Sequence, residues 1–301
     1  MNDKIDCFLA STVWSSATIE SFPADWSTRQ YARLHKNKKT AILLQSSKSN
    51  ASNARIQEWS LYNKHYKNIG INVPDIIHED LDNGYILMSD FGNETIANKG
   101  IEAYLSATQI LVSMRDHSNS IDIPLQRYED TAVYQKLSFF PQYILNKHSA
   151  EQDYMTVWKE IEKSLPPCPR ALTQLDFAAM NLMWNNGIIG VIDFQDSCDG
   201  PFVYDLVNLL EDIRLNIPQD IKKACKNKYC EDLSDQDRQA FEDWYPVMTA
   251  QFHSKVLGQI QFLRTHQGRD DLMIYYDPLL QRLRGEIHHP TLSPLKEFIG
   301  F

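Results

Sequence analysis

Three oxygen-bearing side chains near the middle of the chain have the types and spacing of a phosphoryl-transfer site. Asp176 and Asn181 stand in a D-x-x-x-x-N spacing, and Asp193 ends the apolar run that follows them. Magnesium takes oxygen ligands and usually uses one or two protein carboxylates together with substrate phosphates. Phosphoryl transfer needs a further carboxylate to orient the attacking hydroxyl. Each residue alone could simply cap a turn, but the set of three favours this chemistry.

A predicted β-hairpin carries two of these residues. Asn181 begins the apolar run Leu182-Met183-Trp184, and Ile188 to Ile192 form a second apolar run that leads to Asp193. The connecting Asn185-Asn186-Gly187 is typical of a tight hairpin turn. The hairpin therefore presents Asn181 at the start of its first strand and Asp193 at the end of its second.

The composition excludes several classes of protein. The chain has 301 residues and a net charge of −9, so it lacks the large positive field that non-specific nucleic-acid binding requires. Its five cysteines are scattered without a Cys-x-x-Cys pair, which argues against a zinc site or a disulfide framework. No apolar stretch is long enough for a signal peptide or a membrane span. We expect a globular cytoplasmic protein that binds neither nucleic acid nor membranes.

The two parts of the chain differ in their periodicity. Short apolar runs indicate strands at 31–34, 40–44, 73–78 and 84–88, with one helix at 50–69. Helical patterns dominate afterwards, at 101–116, 128–147, 152–164, 204–214, 236–263 and 278–287. The predicted fold class is α+β, with a small β-rich N-terminal lobe at residues 1–92 and a larger, mainly helical C-terminal lobe at 93–301. Such an arrangement would place a ligand between the lobes.

At this point the sequence resembles a known superfamily, the aminoglycoside phosphotransferases and choline kinases, whose fold is related to that of protein kinases. Residues 191–210 read VIDFQDSCDGPFVYDLVNLL and are similar to the bacterial branch that phosphorylates the anomeric hydroxyl of N-acetylmuramate and N-acetylglucosamine. Residues 24–33, ADWSTRQYAR, resemble the nucleotide-covering hairpin of that branch, and residues 251–258, QFHSKVLG, resemble one of its helices. The resemblance spans nearly the whole chain.

The resemblance implies a role for each residue of the central motif. Asp176 would be the catalytic base that orients the acceptor hydroxyl, while Asn181 and Asp193 would hold Mg²⁺ on the phosphates of ATP. Asp205 would accept hydrogen bonds from the catalytic loop and brace it. Asp196, in the same motif, would support the site.

The resemblance also implies nucleotide contacts in the first lobe. Ser27 and Thr28 would cover the phosphates with their backbone amides, and Glu58 stands where kinases keep the partner of their nucleotide-binding lysine. For Glu58, an ordinary solvated helix charge is the alternative. The letters D-F-G at residues 90–92 precede the D-x-x-x-x-N motif, so Ser89, Asp90 and Phe91 fit a hinge that meets adenine better than a metal loop.

Several positions depart from the pattern of the superfamily. Gln174 stands where the catalytic loop usually has histidine, although a glutamine can still support the loop by hydrogen bonding. Met180 and Phe252 replace arginines that are common in the sugar-kinase branch. The strand at 40–45 contains no lysine for the phosphates, and either Gln45 or Arg33 could occupy that space.

Three functional hypotheses follow. The first is an ATP- and magnesium-dependent kinase of a sugar or another small hydroxylated molecule. The second is an aminoglycoside- or choline-type kinase, in which Glu211-Asp212 or Glu242-Asp243 would face a cationic substrate, unless these are ordinary surface charges. The third is a catalytically silent binding module, a pseudokinase; against it stands the expectation that a silent site has no need of three buried oxygen ligands.

Overall fold

The computed structural model describes residues 3–22, 29–46, 50–118, 121 and 123–300. Ser27 and Thr28 lie outside the described residues. The chain divides into two compact units, the first made of residues 1–96 and 180–195 and the second of residues 97–179 and 196–301. The predicted division at 92/93 therefore differs from the observed one, because the segment 180–195 packs with the first unit.

The first unit is built on a five-stranded antiparallel sheet with the order β1-β2-β3-β5-β4. Its elements are α1 (Asp3–Ala10), β1 (Thr18–Ser21), β2 (Arg29–Lys36), β3 (Lys39–Ser46), α2 (Asn50–Asn68), β4 (Ile76–Asp80), β5 (Tyr85–Ser89), β8 (Leu182–Asn185) and β9 (Ile188–Val191). The predicted strands at 31–34, 40–44 and 84–88 and the helix at 50–69 are confirmed, whereas the strand predicted at 73–78 begins only at Ile76 and β1 was not predicted. The helix α1 was not predicted, and it packs Phe8 and Leu9 into a cluster with Leu34, Leu43 and Leu87 of the sheet.

The β8–β9 hairpin is attached to the first unit by backbone and side-chain hydrogen bonds. The Val191 amide donates to the Asn72 carbonyl at 2.8 Å, and the Asn72 side chain donates to the Ile189 carbonyl at 3.1 Å. The Trp184 amide donates to the Glu94 carbonyl at 2.7 Å. The turn has positive φ at Asn186 and Gly187, 50° and 88°, as expected for the tight turn that the Asn-Gly sequence predicts.

Aromatic packing ties the turn after this hairpin to α2. The Phe194 ring is fully buried, and its centroid lies 5.2 Å from those of Trp59 and Tyr66. The spacing of Trp59, Tyr62 and Tyr66 puts these side chains on one face of α2, and all three are buried. The residue next to Asp193 is thus anchored in the core of the first unit.

The second unit is mainly helical. Its elements are α3 (Ile101–Asp116), β6 (Gln126–Arg127), α4 (Ala132–Gln135), α5 (Phe139–Tyr143), α6 (Glu151–Ser164), β7 (Arg170–Thr173), β10 (Cys198–Pro201), α7 (Tyr204–Leu210), α8 (Gln219–Tyr229), α9 (Asp235–Gln267), α10 (Tyr276–Glu286) and α11 (Ser293–Ile299). A small sheet with the order β6-β10-β7 accompanies them. Along α9 every side chain from Val247 to Lys255 is buried, so this helix forms the centre of the unit.

Several helical predictions were wrong in their extent. The helix predicted at 204–214 ends at Leu210, and the one predicted at 236–263 continues to Gln267. The segment 128–147 was expected to be a single helix, but it forms the short helices α4 and α5 joined by 3₁₀ turns. Pro141 lies inside α5 and has no N–H for the bond of a regular helix, and Asn146 has a φ of 52° that ends the segment. The helix α8 was not predicted, because it has few apolar positions and four lysines, of which Lys222 is buried.

The expectations about membrane-spanning helices and about disulfides can be compared with the described residues. Within these ranges no helix combines the length and the apolar character needed to cross a bilayer. All five cysteines are described, and none forms a disulfide: Cys7, Cys168, Cys198, Cys225 and Cys230.

The anchoring of Phe194 can be tested by truncation. We expect Phe194→Ala to lower the free energy of unfolding by about 3–5 kcal/mol, because a fully buried ring is removed and a cavity remains. Ile188→Ala, on the same hairpin but 62% exposed, is the matched control and should stay within about 0.5 kcal/mol of the parent. Urea unfolding monitored by tryptophan fluorescence measures both, and equal losses for the two variants would refute the anchoring role.

Candidate functional site

The loop that carries Asp176 is held by a buried carboxylate. Asp205, in the first turn of α7, accepts the backbone N–H of Gln174 at 2.6 Å with Oδ2 and that of Leu175 at 3.0 Å with Oδ1. Asp205 is buried, whereas Asp176 is exposed. These bonds have the direction that the resemblance implies for Asp205, and they leave the carboxylate of Asp176 accessible.

The same loop contains an unusual backbone conformation. Leu175 has a φ of 73°, which is an uncommon conformation for a bulky side chain and costs about 1–3 kcal/mol unless the surroundings enforce it. The surroundings do enforce it: its amide is bound by Asp205, and its carbonyl accepts the Asn208 side chain at 2.9 Å. Its apolar side chain is buried, so the next residue turns outward. Strain of this kind is typical of functional sites.

Burial and hydrogen bonding act on Asp205 in opposite directions. Desolvation by burial raises its pKa to about 7, while the bonds from the Gln174 and Leu175 amides favour the ionised form. Gln174 is itself fully buried, at the position where the resemblance implies histidine. The loop that carries Asp176 is thus braced by a carboxylate that accepts two backbone amides.

The two predicted magnesium ligands lie on the β8–β9 hairpin of the first unit. Asn181 is half-buried directly before β8, and Asp193 is exposed after β9 with a φ of 60°. The Ile192 amide donates to the Asn181 carbonyl at 3.1 Å, and the Gln195 side chain donates to Asp193 Oδ1 at 2.7 Å. The three oxygen-bearing residues Asp176, Asn181 and Asp193 were expected to be buried. This was wrong for Asp176 and Asp193, which are exposed. Asp196 is exposed as well.

The donor set suits magnesium that is shared with a nucleotide. Across the described ranges there is no cluster of three or more His, Cys, Asp or Glu side chains that could enclose a metal ion. One amide oxygen and one carboxylate fit the chemistry of Mg²⁺, which keeps several waters and binds substrate phosphates. The residues present therefore fit a metal that is completed by its substrate.

The predicted hinge is fixed by a bidentate ion pair. Arg33 on β2 donates from Nε to Asp90 Oδ2 at 2.6 Å and from Nη2 to Asp90 Oδ1 at 3.1 Å, and it also reaches the Gly92 carbonyl. The side chains of Arg33 and Asp90 are only 11% and 3% exposed. Ser89 is paired with Asp75 through its amide and its hydroxyl. Asp90 thus shapes the segment through its side chain.

Phe91 of the same segment rests on the β8–β9 hairpin. A Cβ atom at Gly190 would come within 2.4 Å of the Phe91 ring, so glycine is the residue that permits this contact. The two segments belong to the first unit, and their contact leaves the ring half-buried. Phe91 is therefore available on one side for an apolar ligand.

Residues 40–45 of β3 include no lysine that could contact nucleotide phosphates, and one of the two residues considered in its place is already paired. Arg33 is engaged by Asp90, so Gln45, half-buried on β3, is the remaining candidate of the two. Glu58 is exposed on α2, and the described residues give its carboxylate no ion pair. Its predicted pairing role stays a prediction.

A buried lysine near Asp176 was not expected to belong to the site. Lys255 on α9 is 7% exposed and donates from Nζ to the Tyr204 hydroxyl at 2.9 Å. Its pKa is lowered to about 7 by desolvation, while the charge of Asp176 opposes the shift. Lys255 is the only Asp, Glu, Lys or Arg residue between Asp243 and Arg264, and that isolation was the signal that could have identified it.

Of the acidic residues proposed for a cationic substrate, Glu211 and Asp212 are paired with cations, whereas Glu242 is exposed and Asp243 is half-buried. Glu211 is buried, paired with Lys222, and accepts the Tyr245 hydroxyl at 2.9 Å. Asp212 is buried and paired with Arg214, whose Nη2 lies 2.6 Å from Oδ2. Neither carboxylate is left to receive the ammonium of a substrate.

Comparisons with known proteins indicate one enzyme family and one fold. The model of the phosphotransferase enzyme family matches residues 18–246. A relative from Neisseria meningitidis, named N-acetylmuramate/N-acetylglucosamine kinase, is 28% identical over 75% of this chain and 74% of its own length. A choline/ethanolamine kinase family protein from Mesorhizobium loti has a TM-score of 0.66 and 13% identity over 99% of this chain and 98% of its own. An amicoumacin kinase solved with AMP-PNP has a TM-score of 0.66 and 15% identity over 97% of this chain and 95% of its own.

The brace at Asp205 can be tested by removing its oxygens. We expect Asp205→Ala to lower the free energy of unfolding at pH 7.5 by about 3 kcal/mol, since two buried amides lose their acceptor. Asp205→Asn keeps one acceptor oxygen and should lose less. Asp232→Asn, an exposed carboxylate, is the control. Urea titration measures all three, and a stable Asp205→Ala variant would contradict the brace.

The ion pair at the hinge predicts a non-additive pair of substitutions. Arg33→Met should cost about 3–5 kcal/mol, because the Asp90 carboxylate stays buried without its counter-ion. The double variant Arg33→Met with Asp90→Asn should be more stable than Arg33→Met alone, since the uncompensated charge is gone. A double-mutant cycle by chemical unfolding measures this coupling, and simple additivity would contradict it.

Proposed function

The chain belongs to the phosphotransferase enzyme family, and we propose that it is an ATP- and magnesium-dependent kinase that phosphorylates a hydroxyl of an amino sugar such as N-acetylmuramate or N-acetylglucosamine. The observation that carries the proposal is the exposed carboxylate of Asp176 on a loop that Asp205 holds through two backbone amides. A fixed carboxylate of this kind can orient a hydroxyl and accept its proton.

The nucleotide and the metal are assigned to the first unit. Asn181 and Asp193 supply the oxygen donors that would hold magnesium, which when bound neutralises charge on the phosphates. The hinge residues Ser89 to Phe91, fixed by Arg33, would present backbone groups and one ring face to the base. The amicoumacin kinase was solved in complex with AMP-PNP, and its likeness in fold supports nucleotide use by this chain.

The amino-sugar acceptor is supported by the name of the Neisseria relative and by the charges near Asp176. A cationic acceptor such as choline or an aminoglycoside needs unpaired carboxylates, and Glu211 and Asp212 are each neutralised by a cation. The nearby Lys255 is a cation below its pKa of about 7, whereas Arg214 is paired with Asp212. We place the enzyme in the cytoplasm, since five unpaired cysteines suit a reducing compartment.

The proposal is tested by turnover of the two sugars. The parent protein with Mg-ATP should release ADP and form a sugar phosphate, and Asp176→Asn should lower kcat by at least about 100-fold, because general base assistance of this kind contributes roughly 10²–10⁴-fold. A coupled ADP assay measures the rate, and nucleotide affinity should be unchanged in the variant.

Asp232→Asn is the control, since it removes an exposed carboxylate of the second unit that lies outside the motif. Undiminished activity in Asp176→Asn would remove that residue from its role. Binding of Mg-ATP without turnover of any hydroxylated acceptor would favour the silent binding module instead.

A further inference from the structure

Lys255 is buried in a way that the stability of the fold does not explain. Lys255 and Lys222 are both 7% exposed, but Lys222 is paired with the carboxylate of Glu211, whereas Lys255 donates to the neutral hydroxyl of Tyr204. A buried ammonium has three donors and is costly without compensation. A lysine in this environment is a candidate for a functional group.

The surroundings of the ammonium are rigid and aromatic. Nζ of Lys255 lies 4.8 Å from the centroid of the Phe252 ring and 5.6 Å from that of Tyr204. Tyr204 is fully buried and packs against Tyr128 at 5.0 Å, and the Tyr128 hydroxyl donates to Gln251 at 2.8 Å. The hydroxyl that accepts from Lys255 therefore has a fixed position, and so has the ammonium.

Three segments of the chain present titratable groups to Lys255. Desolvation has the largest effect and lowers the pKa of Lys255 to about 7. The carboxylate of Asp176, on the loop after β7, acts to raise this pKa, and the ammonium of Lys136, which lies before α5, acts to lower it. On α7 the neighbouring group is the Tyr204 phenol, whose own pKa is raised well above its usual value by burial. Tyr204 also directly precedes Asp205, which accepts the amides of the loop that carries Asp176, so α7 holds both that loop and the hydroxyl that meets the ammonium.

We propose that Lys255 is an acceptor-binding residue whose ammonium donates to an oxygen of a neutral or anionic acceptor, next to the hydroxyl that Asp176 orients. This inference rests on the proposed function for the role of Asp176. Phe252 then has a clear use, because its ring closes one side of the ammonium and leaves the remaining donors for the ligand. A cationic acceptor would be repelled by the same group.

Equilibrium dialysis of three radiolabelled sugars with the full chain tests the inference without turnover. The sugars are N-acetylglucosamine, N-acetylmuramate, which adds a carboxylate, and glucosamine, which carries an ammonium. The parent should bind glucosamine most weakly. Lys255→Met should lose about tenfold or more in affinity for N-acetylmuramate and less for N-acetylglucosamine, because a charge-assisted hydrogen bond disappears. Lys223→Met, an exposed lysine of α8, should change neither affinity.

The pH dependence adds a second readout. Below a pH of about 7 Lys255 is protonated and binds the anion, so the affinity for N-acetylmuramate should fall as the pH rises through this value. This fall should vanish in Lys255→Met. Asp205 and Glu162, whose pKa values are also raised to about 7, are unchanged in that variant, so any pH dependence that persists belongs to other groups such as these and counts against Lys255.

The thermal midpoint separates binding from a structural role. Lys255→Met should unfold at the parent temperature or above, because a buried charge is replaced by an apolar chain of similar length. If that variant does not fold, Tyr204→Phe carries the test, since it removes the hydroxyl that orients the ammonium; its ratio of N-acetylmuramate to N-acetylglucosamine affinity should fall.

Four results would overturn the inference: an unchanged affinity ratio in the variant tested, tightest binding of glucosamine by the parent, no binding of any sugar, or a large loss of stability in Lys255→Met with the ratio kept. Sugar binding with the expected ratios but no transfer from Mg-ATP would refute the proposed function and support the role of Lys255.

Discussion

The two hydrogen bonds that Asp205 accepts from the Gln174 and Leu175 amides are the interaction on which the second unit's candidate site depends. They hold Leu175 at a φ of 73° and direct its side chain into the core, so that Asp176 emerges at the surface. A carboxylate serves here better than a neutral acceptor because its two oxygens can meet two successive amides. The cost of burying it is visible in its raised pKa, and that cost is accepted at the point where geometry matters most.

In the first unit a different arrangement exposes an acidic residue. Asp193 follows β9 with a positive φ, and its neighbour Phe194 is buried against Trp59 and Tyr66 of α2. Asp193, a predicted metal ligand, is therefore exposed because the adjacent Phe194 is buried. Loops in both units expose an acidic group by burying the residue beside it, Leu175 in one case and Phe194 in the other.

The sequence predicted the elements whose signals are local. The Asn-Gly turn, the alternating strands and the motif residues Asp176, Asn181 and Asp193 all lie where such patterns placed them, although Ser27 and Thr28 fall outside the described residues. Contacts between residues that are far apart in the sequence could not be predicted from local patterns. No local pattern shows that Arg33 and Asp90 meet, that Glu211 and Asp212 are neutralised, or that Lys255 of α9 lies near Asp176. The proposed choice of acceptor rests on these contacts, and they depend on tertiary structure.

We propose that the braced carboxylate of Asp176 acts beside the buried ammonium of Lys255, so that the acceptor is a sugar without positive charge. A single competition measures this most directly: Mg-ATP is supplied with equal concentrations of N-acetylglucosamine, choline and kanamycin, and the phosphorylated products are identified by phosphorus NMR. The account predicts a sugar phosphate as the dominant product. Phosphocholine or a phosphorylated aminoglycoside as the main product would contradict it.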